Sequence, residues 1–224
     1  SSRRPGWPST AALIVYAVCF SYAYLYVETG TGALLLFGAV QGTMVVAALR
    51  DGEKPSRLGL MGMAAASAGL ILLVLPGISA PPLGAAAFML MAGIGWGIYS
   101  HAGRGQPNPY FATATNFVRA APFGVVILTV AVIFVAVPTF KGVLLAATSG
   151  ALTSGLGYVI WYAALRHHTS TSAAAVQLSA PLLAIAGGIV VLGEPLTMRL
   201  LVGGVLIIGG IVLSLLKPTA DPRR

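Results

Sequence analysis

Residues 191–198 read VLGEPLTM and stand between two long apolar runs. Residues 51–58, DGEKPSRL, are set in the same way. The chain holds only five Asp and Glu residues in all. A Gly-Glu pair placed twice between oily runs therefore asks for a structural reason. Gly52-Glu53 and Gly193-Glu194 lie 141 residues apart.

The flanking runs set the class. The chain is 57% hydrophobic and 8% charged over 224 residues, with a mean hydropathy of +0.90. Soluble domains carry about 25% charged residues. A soluble core of this size would leave large apolar patches on its surface, whereas a membrane protein exposes such surface to lipid. The net charge of +8 does not point to nucleic acid, because the basic residues are scattered at segment ends and form no patch or basic helix. The lone Cys19 excludes an intramolecular disulfide and offers no metal-ligand spacing. His167 and His168 are adjacent, point apart on a helix and have no third ligand. No metal site, cofactor or catalytic residue is expected.

A bilayer core about 30 Å thick takes roughly 20 helical residues to cross. Eight segments qualify: 9–27, 30–49, 57–75, 83–101, 112–136, 142–166, 170–192 and 198–217. Gly, Pro, Asn and charged residues punctuate the short gaps, as in RDGEKPSR, PGISAPP and GRGQPNP. The runs lack period-two alternation and are about twice the length of a barrel strand. Lone strands would also leave backbone groups unpaired in lipid. The fold class is an all-α, multi-span helical bundle. The opening SSRRPGWPST has no following cleavage pattern and reads as a loop before a span, not as a signal peptide.

With the N-terminus placed in the cytoplasm, eleven of the thirteen Lys and Arg residues fall on the inner side, and only Lys141 and Arg199 fall outside. This is the positive-inside distribution, and it puts the C-terminus inside as well.

The two Gly-Glu pairs belong to a repeat. An offset of 141 carries Gly52, Glu53, Gly62 and Gly69 onto Gly193, Glu194, Gly203 and Gly210. An offset of 140 carries Tyr22, Ala23, Leu25, Thr29 and Thr31 onto Tyr162, Ala163, Leu165, Thr169 and Thr171. Five spans separate the two Gly-Glu turns, and an odd number puts them on opposite faces. The first turn is rich in Lys and Arg and the second is not. The pattern is an inverted-topology repeat, the architecture used for alternating access around a site near the midplane.

GYVIWYAALRHHTSTSAAAVQLSAP (157–181), then LGEPLT (192–197), then a Gly-rich last span, resembles the second half of the EamA-type transporters of the drug/metabolite transporter superfamily. TGTGALLLFGAVQGTM (29–44) followed by GEKP resembles the matching part of the first half, and GIGWGIYS (93–100) the helix that opens the second. The resemblance implies ten helices in two five-helix halves. Residues 1–78 would then be the last three helices of a first repeat, 79–217 a complete second repeat and 218–224 a cytoplasmic tail. Two further helices would precede Ser1, roughly 60–70 residues at the length of a span with its loops.

Polar and aromatic groups within spans are the candidates for a solute pathway, because burying them in lipid without partners costs energy. Gln41 and Gln177 lie in paired helices of the two halves, and Pro181 aligns with Gln41. Asn116 and Arg119 share a helical face at spacing three, as do Trp96 and Tyr99. Tyr158 and Trp161 continue into Tyr162 as an aromatic stripe able to stack on an organic solute. The competing reading puts aromatics near span ends at the membrane interface and lets Arg119 snorkel. Gly pairs such as Gly187-Gly188, Gly203-Gly204 and Gly209-Gly210 read as sites of close helix packing. The Gly-Glu turns read as structural, with Gly ending one span and Pro195 helping to start the next.

The expectation is an inner-membrane transporter of small organic solutes working by alternating access, with solute and lipid as its partners. The alternative is a non-transporting membrane scaffold or an inactive fragment. An intramembrane enzyme would need a catalytic constellation, and the sequence offers no Ser/His/Asp set, no H-E-x-x-H and no paired carboxylates within spans.

Overall fold

The structure, a computed structural model, describes residues 6–50, 57–75, 80–103, 106–135, 137–165 and 179–215. Among these residues every regular element is a helix. They are α1 (Trp7–Ala23), α2 (Thr29–Arg50), α3 (Arg57–Val74), α4 (Leu83–Gly103), α5 (Pro109–Phe134), α6 (Phe140–Thr148), a π-helical segment (Ser149–Leu156), α7 (Gly157–Leu165), α8 (Ser179–Leu192) and α9 (Met198–Leu215). The α6–π–α7 run is one 26-residue span, Phe140–Leu165. Thr29–Ala47, Leu83–Gly103 and Pro109–Phe134 are also long and apolar enough to cross a membrane, and four shorter apolar helices accompany them. The described helices thus fall on the eight apolar segments, and residues 170–178 of the segment 170–192 lie outside the described residues. The first stops early, at Ala23, and residues 24–27 turn back through bonds such as Tyr26 N–H to Ala23 O (3.0 Å).

The residues that punctuate the sequence cap the helices. Asn108 accepts from the Phe111 N–H at 3.1 Å, with Pro109 as the first residue of α5, where its missing N–H costs nothing. Thr139 caps α6 through the Gly142 N–H (3.1 Å). Thr197 caps α9 through the Leu200 N–H (3.1 Å), so Pro195 stands before the cap and not at the helix start.

Contacts divide the chain into two compact units. One comprises residues 1–14 and 99–168, the other 15–98 and 169–224. The second is built on a cluster that includes Leu34, Leu35, Leu73, Met89, Ile207 and Ile211. Small residues bring its helices together. A Cβ on Gly93 would strike the Leu36 carbonyl and the Ala39 methyl, and one on Gly97 would strike Thr43, so α4 lies tightly against α2.

The pairing of α3 with α9 is closer to symmetry. A Cβ on Gly210 would meet the backbone at Gly62 and Ala66, and one on Gly69 would meet the Gly203 carbonyl at 2.9 Å. The helices therefore run antiparallel. At the repeat offset Gly62 corresponds to Gly203, and Gly69 to Gly210. The two contacts exchange equivalent positions, as a two-fold relation between repeats requires. Beside Gly187 and Gly209, by contrast, there is open space, so only one member of each of those pairs serves close packing.

The second Gly-Glu turn has a defined task. Gly193 takes φ +69°, a left-handed conformation suited to Gly at a helix end. This turns the chain so that the Glu194 N–H bonds back to Gly188 O (3.0 Å). The Glu194 carboxylate then accepts from the N–H groups of Thr29 (2.6 Å) and Gly30 (3.1 Å) at the start of α2. A Cβ on Gly188 would displace the carboxylate from this position. Negative charge at a helix N-terminus is favourable, and two otherwise unpaired donors are satisfied. The first turn, with Glu53, lies outside the described residues.

Partial burial raises the Glu194 pKa, but bonds from the Thr29 hydroxyl and the Thr29 and Gly30 N–H groups outweigh it and hold the carboxyl below its ordinary value. A carboxyl depressed in the folded state contributes stability that is complete above its unfolded pKa and is lost as pH falls through the folded value. Glu194→Gln should lower stability by about 1 kcal/mol at neutral pH, a usual cost of removing an N-terminal cap. The gap between wild type and variant should close as pH falls below the carboxylate range. Thermal unfolding in detergent across pH checks this, and a gap that does not change with pH would contradict it.

Candidate functional site

Five of the residues singled out from the sequence, Tyr99, Asn116, Arg119, Tyr158 and Trp161, lie in the unit formed by residues 1–14 and 99–168. Tyr99, in the last turns of α4, is completely buried. Its ring stacks on Tyr162 of α7 (centroids 4.8 Å, 28° between planes) and lies 5.9 Å from Tyr158. The Tyr162 hydroxyl donates to the Tyr99 carbonyl at 2.9 Å. Gly103, one turn after Tyr99, leaves the room this ring needs, since any Cβ would overlap it. Tyr158 also faces Phe117 at 5.8 Å. Trp161 donates its indole N–H to Ser100 Oγ (3.3 Å).

Asn116, on α5, is likewise fully buried. Its amide donates to Ser9 Oγ (3.1 Å) and accepts from Thr10 Oγ1 (2.9 Å). Thr113, one turn earlier on the same face, is buried as well. Arg119 follows at spacing three, and its guanidinium sits 5.0 Å from the centre of the Trp7 ring, a cation–π distance. Its aliphatic stem can run along the helix while the charge rests on an aromatic face.

The remaining candidates belong to the other unit. Gln41 is buried in α2. Trp96 packs against Tyr16 (4.9 Å, 45°). Pro181 is buried and is the third residue of α8. Gln177 lies outside the described residues, as do His167 and His168.

Sequence reasoning did not name Ser9, Thr10, Ser100 or Thr113. Thr113 carried a signal, because it repeats Asn116 at spacing three within an apolar span. Ser9 and Thr10 carried none, since a hydroxyl at the start of a span reads as a cap. Their partner lies more than 100 residues away along the chain.

The cluster offers aromatic faces, hydroxyls and one amide, with a single cation at its edge. It holds no carboxylate, and no group of His, Cys, Asp and Glu able to hold a metal occurs among the described residues. Such a surface can stack on an organic ring or chain and hydrogen-bond neutral groups. Buried polar groups of this kind are costly unless satisfied, so the hydrogen bonds also fix the side chains in place.

A family model described as the EamA-like transporter family matches residues 83–216. An uncharacterized protein of Pseudomonas aeruginosa is 48% identical over 220 residues, which cover 95% of this chain and 74% of that protein. A protein of Streptantibioticus cattleyicolor named a probable terminal-alkyne amino-acid exporter is 29% identical over 206 residues, covering 88% of this chain and 68% of its own length. A solved crystal structure superposes with a TM-score of 0.63 at 16% identity, over 94% of this chain and 76% of that one, and shares the fold.

Asn116→Leu should destabilise the protein by about 1–3 kcal/mol, because it strands the Ser9 and Thr10 hydroxyls in an apolar setting. Adding Ser9→Ala and Thr10→Val should restore most of the loss, since no unsatisfied partner then remains. Thermal unfolding of the single and triple variants in detergent measures both effects. An unchanged midpoint in the single variant would show that the network holds nothing.

Proposed function

The chain belongs to the EamA-like transporter family, and from that premise we propose that it moves small organic solutes across the bacterial inner membrane by alternating access. The family and the relatives with assigned names are named for transport and not for catalysis. The described helices are those of a multi-pass membrane protein.

The observation that carries the solute reading is the aromatic and hydrogen-bonding cluster around Tyr99, Asn116, Tyr158 and Trp161. Polar groups inside membrane spans are rare and mark pathways or sites. Ligand sites combine apolar and aromatic walls with a few placed polar groups, which is the composition found here. The lack of a carboxylate favours neutral or zwitterionic solutes over simple cations. The exporter name carried by the S. cattleyicolor relative makes amino acids the first solutes to try. The first repeat spans 1–78 and the second 79–217 in this reading, with both ends of the chain cytoplasmic by the positive-inside distribution. The antiparallel exchange of α3 and α9 supports a rocking of one repeat against the other, the movement that inverted repeats permit.

A screen of radiolabelled amino acids and related solutes for uptake and efflux in membrane vesicles tests the proposal. Flux above control vesicles for at least one solute is expected. Tyr158→Ala should reduce that flux at least several-fold with insertion unchanged, while alanine at exposed Leu144 should leave it unaltered. Absence of flux for every solute would favour the non-transporting scaffold.

A further inference from the structure

The span Phe140–Leu165 departs from α-geometry at its middle. The π-helical segment Ser149–Leu156 carries three hydroxyls, on Ser149, Thr153 and Ser154. The Ser149 and Thr153 hydroxyls lie 3.2 Å apart, and Thr153 also donates to the Ser149 carbonyl at 2.6 Å. The two form one polar face at the centre of a membrane span. π segments within α-helices occur frequently at functional sites.

Register gives the segment a consequence. At ~100° per residue, nine α-helical steps from Ser149 would place it roughly 180° from Tyr158, on the opposite side of the helix. A π turn closes with i→i+5 bonds and takes about one residue more, so each step advances only ~80°. Carried through the segment, this brings Ser149 to within roughly 60° of Tyr158, Thr153 to within roughly a quarter turn, and Ser154 nearly into line. Ser154, Gly155 and Tyr158 are half-buried, while Ser149, Ala151, Leu152, Thr153 and Leu156 are exposed. On this register the π segment turns three hydroxyls toward the side of the helix that carries Tyr158, where a regular α-helix would have turned Ser149 and Thr153 away.

Resting on the transport reading above, the geometry points to Ser149, Thr153 and Ser154 as a hydroxyl-lined continuation of the solute path from Tyr158 to the middle of the span, where they hydrogen-bond neutral polar groups of the solute. Hydroxyls that bond only within their own helix satisfy themselves in lipid, and that local role predicts no preference for one face. A path lining predicts water on the Ser149/Thr153 side alone.

Cysteine accessibility separates the two. In the full chain carrying Cys19→Ser, Thr153→Cys and, on the opposite face, Ala151→Cys are each exposed to a water-soluble methanethiosulfonate reagent in membrane vesicles. The inference expects Thr153→Cys to react at least ten-fold faster than Ala151→Cys. It also expects Thr153→Val to raise the KM for a transported solute several-fold with thermal stability unchanged. Equal reaction rates at the two positions would overturn it, even if vesicles transport solute. Fast reaction at Thr153→Cys with no flux for any solute would leave the hydroxyl lining standing and remove the transport reading instead.

Discussion

The close antiparallel contact of α3 with α9 is the constraint on which the repeat relation depends. Gly62 and Ala66 face Gly210, and Gly69 faces Gly203. Membrane helices gain little from the hydrophobic effect when they associate, so backbone proximity through small residues supplies much of their packing. Here the proximity is also symmetric, because the two contacts exchange positions that correspond in the repeat. A side chain at Gly210 or Gly69 would meet the backbone of the other helix and force the two apart. The Glu194 turn immediately before α9 adds a second tie in the same unit, joining the end of α8 to the start of α2 through two backbone N–H groups.

The aromatic and polar cluster is the proposed solute site. Its elements come from α1, α4, α5 and α7, and each contributes a residue type suited to its place. Gly103 admits the Tyr162 ring, Asn116 satisfies two hydroxyls, and Tyr158 extends the aromatic surface toward the π segment. The Asn116 amide holds the Ser9 and Thr10 hydroxyls, Tyr162 is tied to the Tyr99 carbonyl and Trp161 to Ser100, so these side chains present fixed faces. Fixed donors and acceptors lower the ordering cost of binding a small solute.

The spans were legible in the sequence because membrane crossing imposes a length and an apolar composition that few other structures share. The sequence argument for a repeat rests on Glu and Tyr, which are scarce enough among apolar residues for their order to carry information. The partner of Glu194 was not legible. Gly-Glu before a helix signals a turn, but only the fold brings its carboxylate to Thr29, 165 residues away in the chain. The same holds for Ser9 and Thr10 with Asn116. The π segment left no periodic signal, since SGALTSGL fits an α-helix as readily as a π-helix until the neighbouring helices are placed. The early end of α1 at Ala23 was hidden by the apolar Tyr24–Val27 turn, which hydropathy alone extends into the span.

The central claim is that two copies of one helical unit face opposite ways across the membrane. Cysteine labelling tests it directly. With Cys19→Ser as background, single cysteines are introduced as Ser56→Cys, beside the first Gly-Glu pair, and Thr197→Cys, beside the second. An impermeant thiol reagent is applied to intact cells and then to opened ones. The account predicts that Thr197→Cys labels in intact cells and Ser56→Cys only after opening, as the Lys and Arg distribution requires. Labelling of both positions from the same side would contradict the inverted repeat and the mechanism that depends on it.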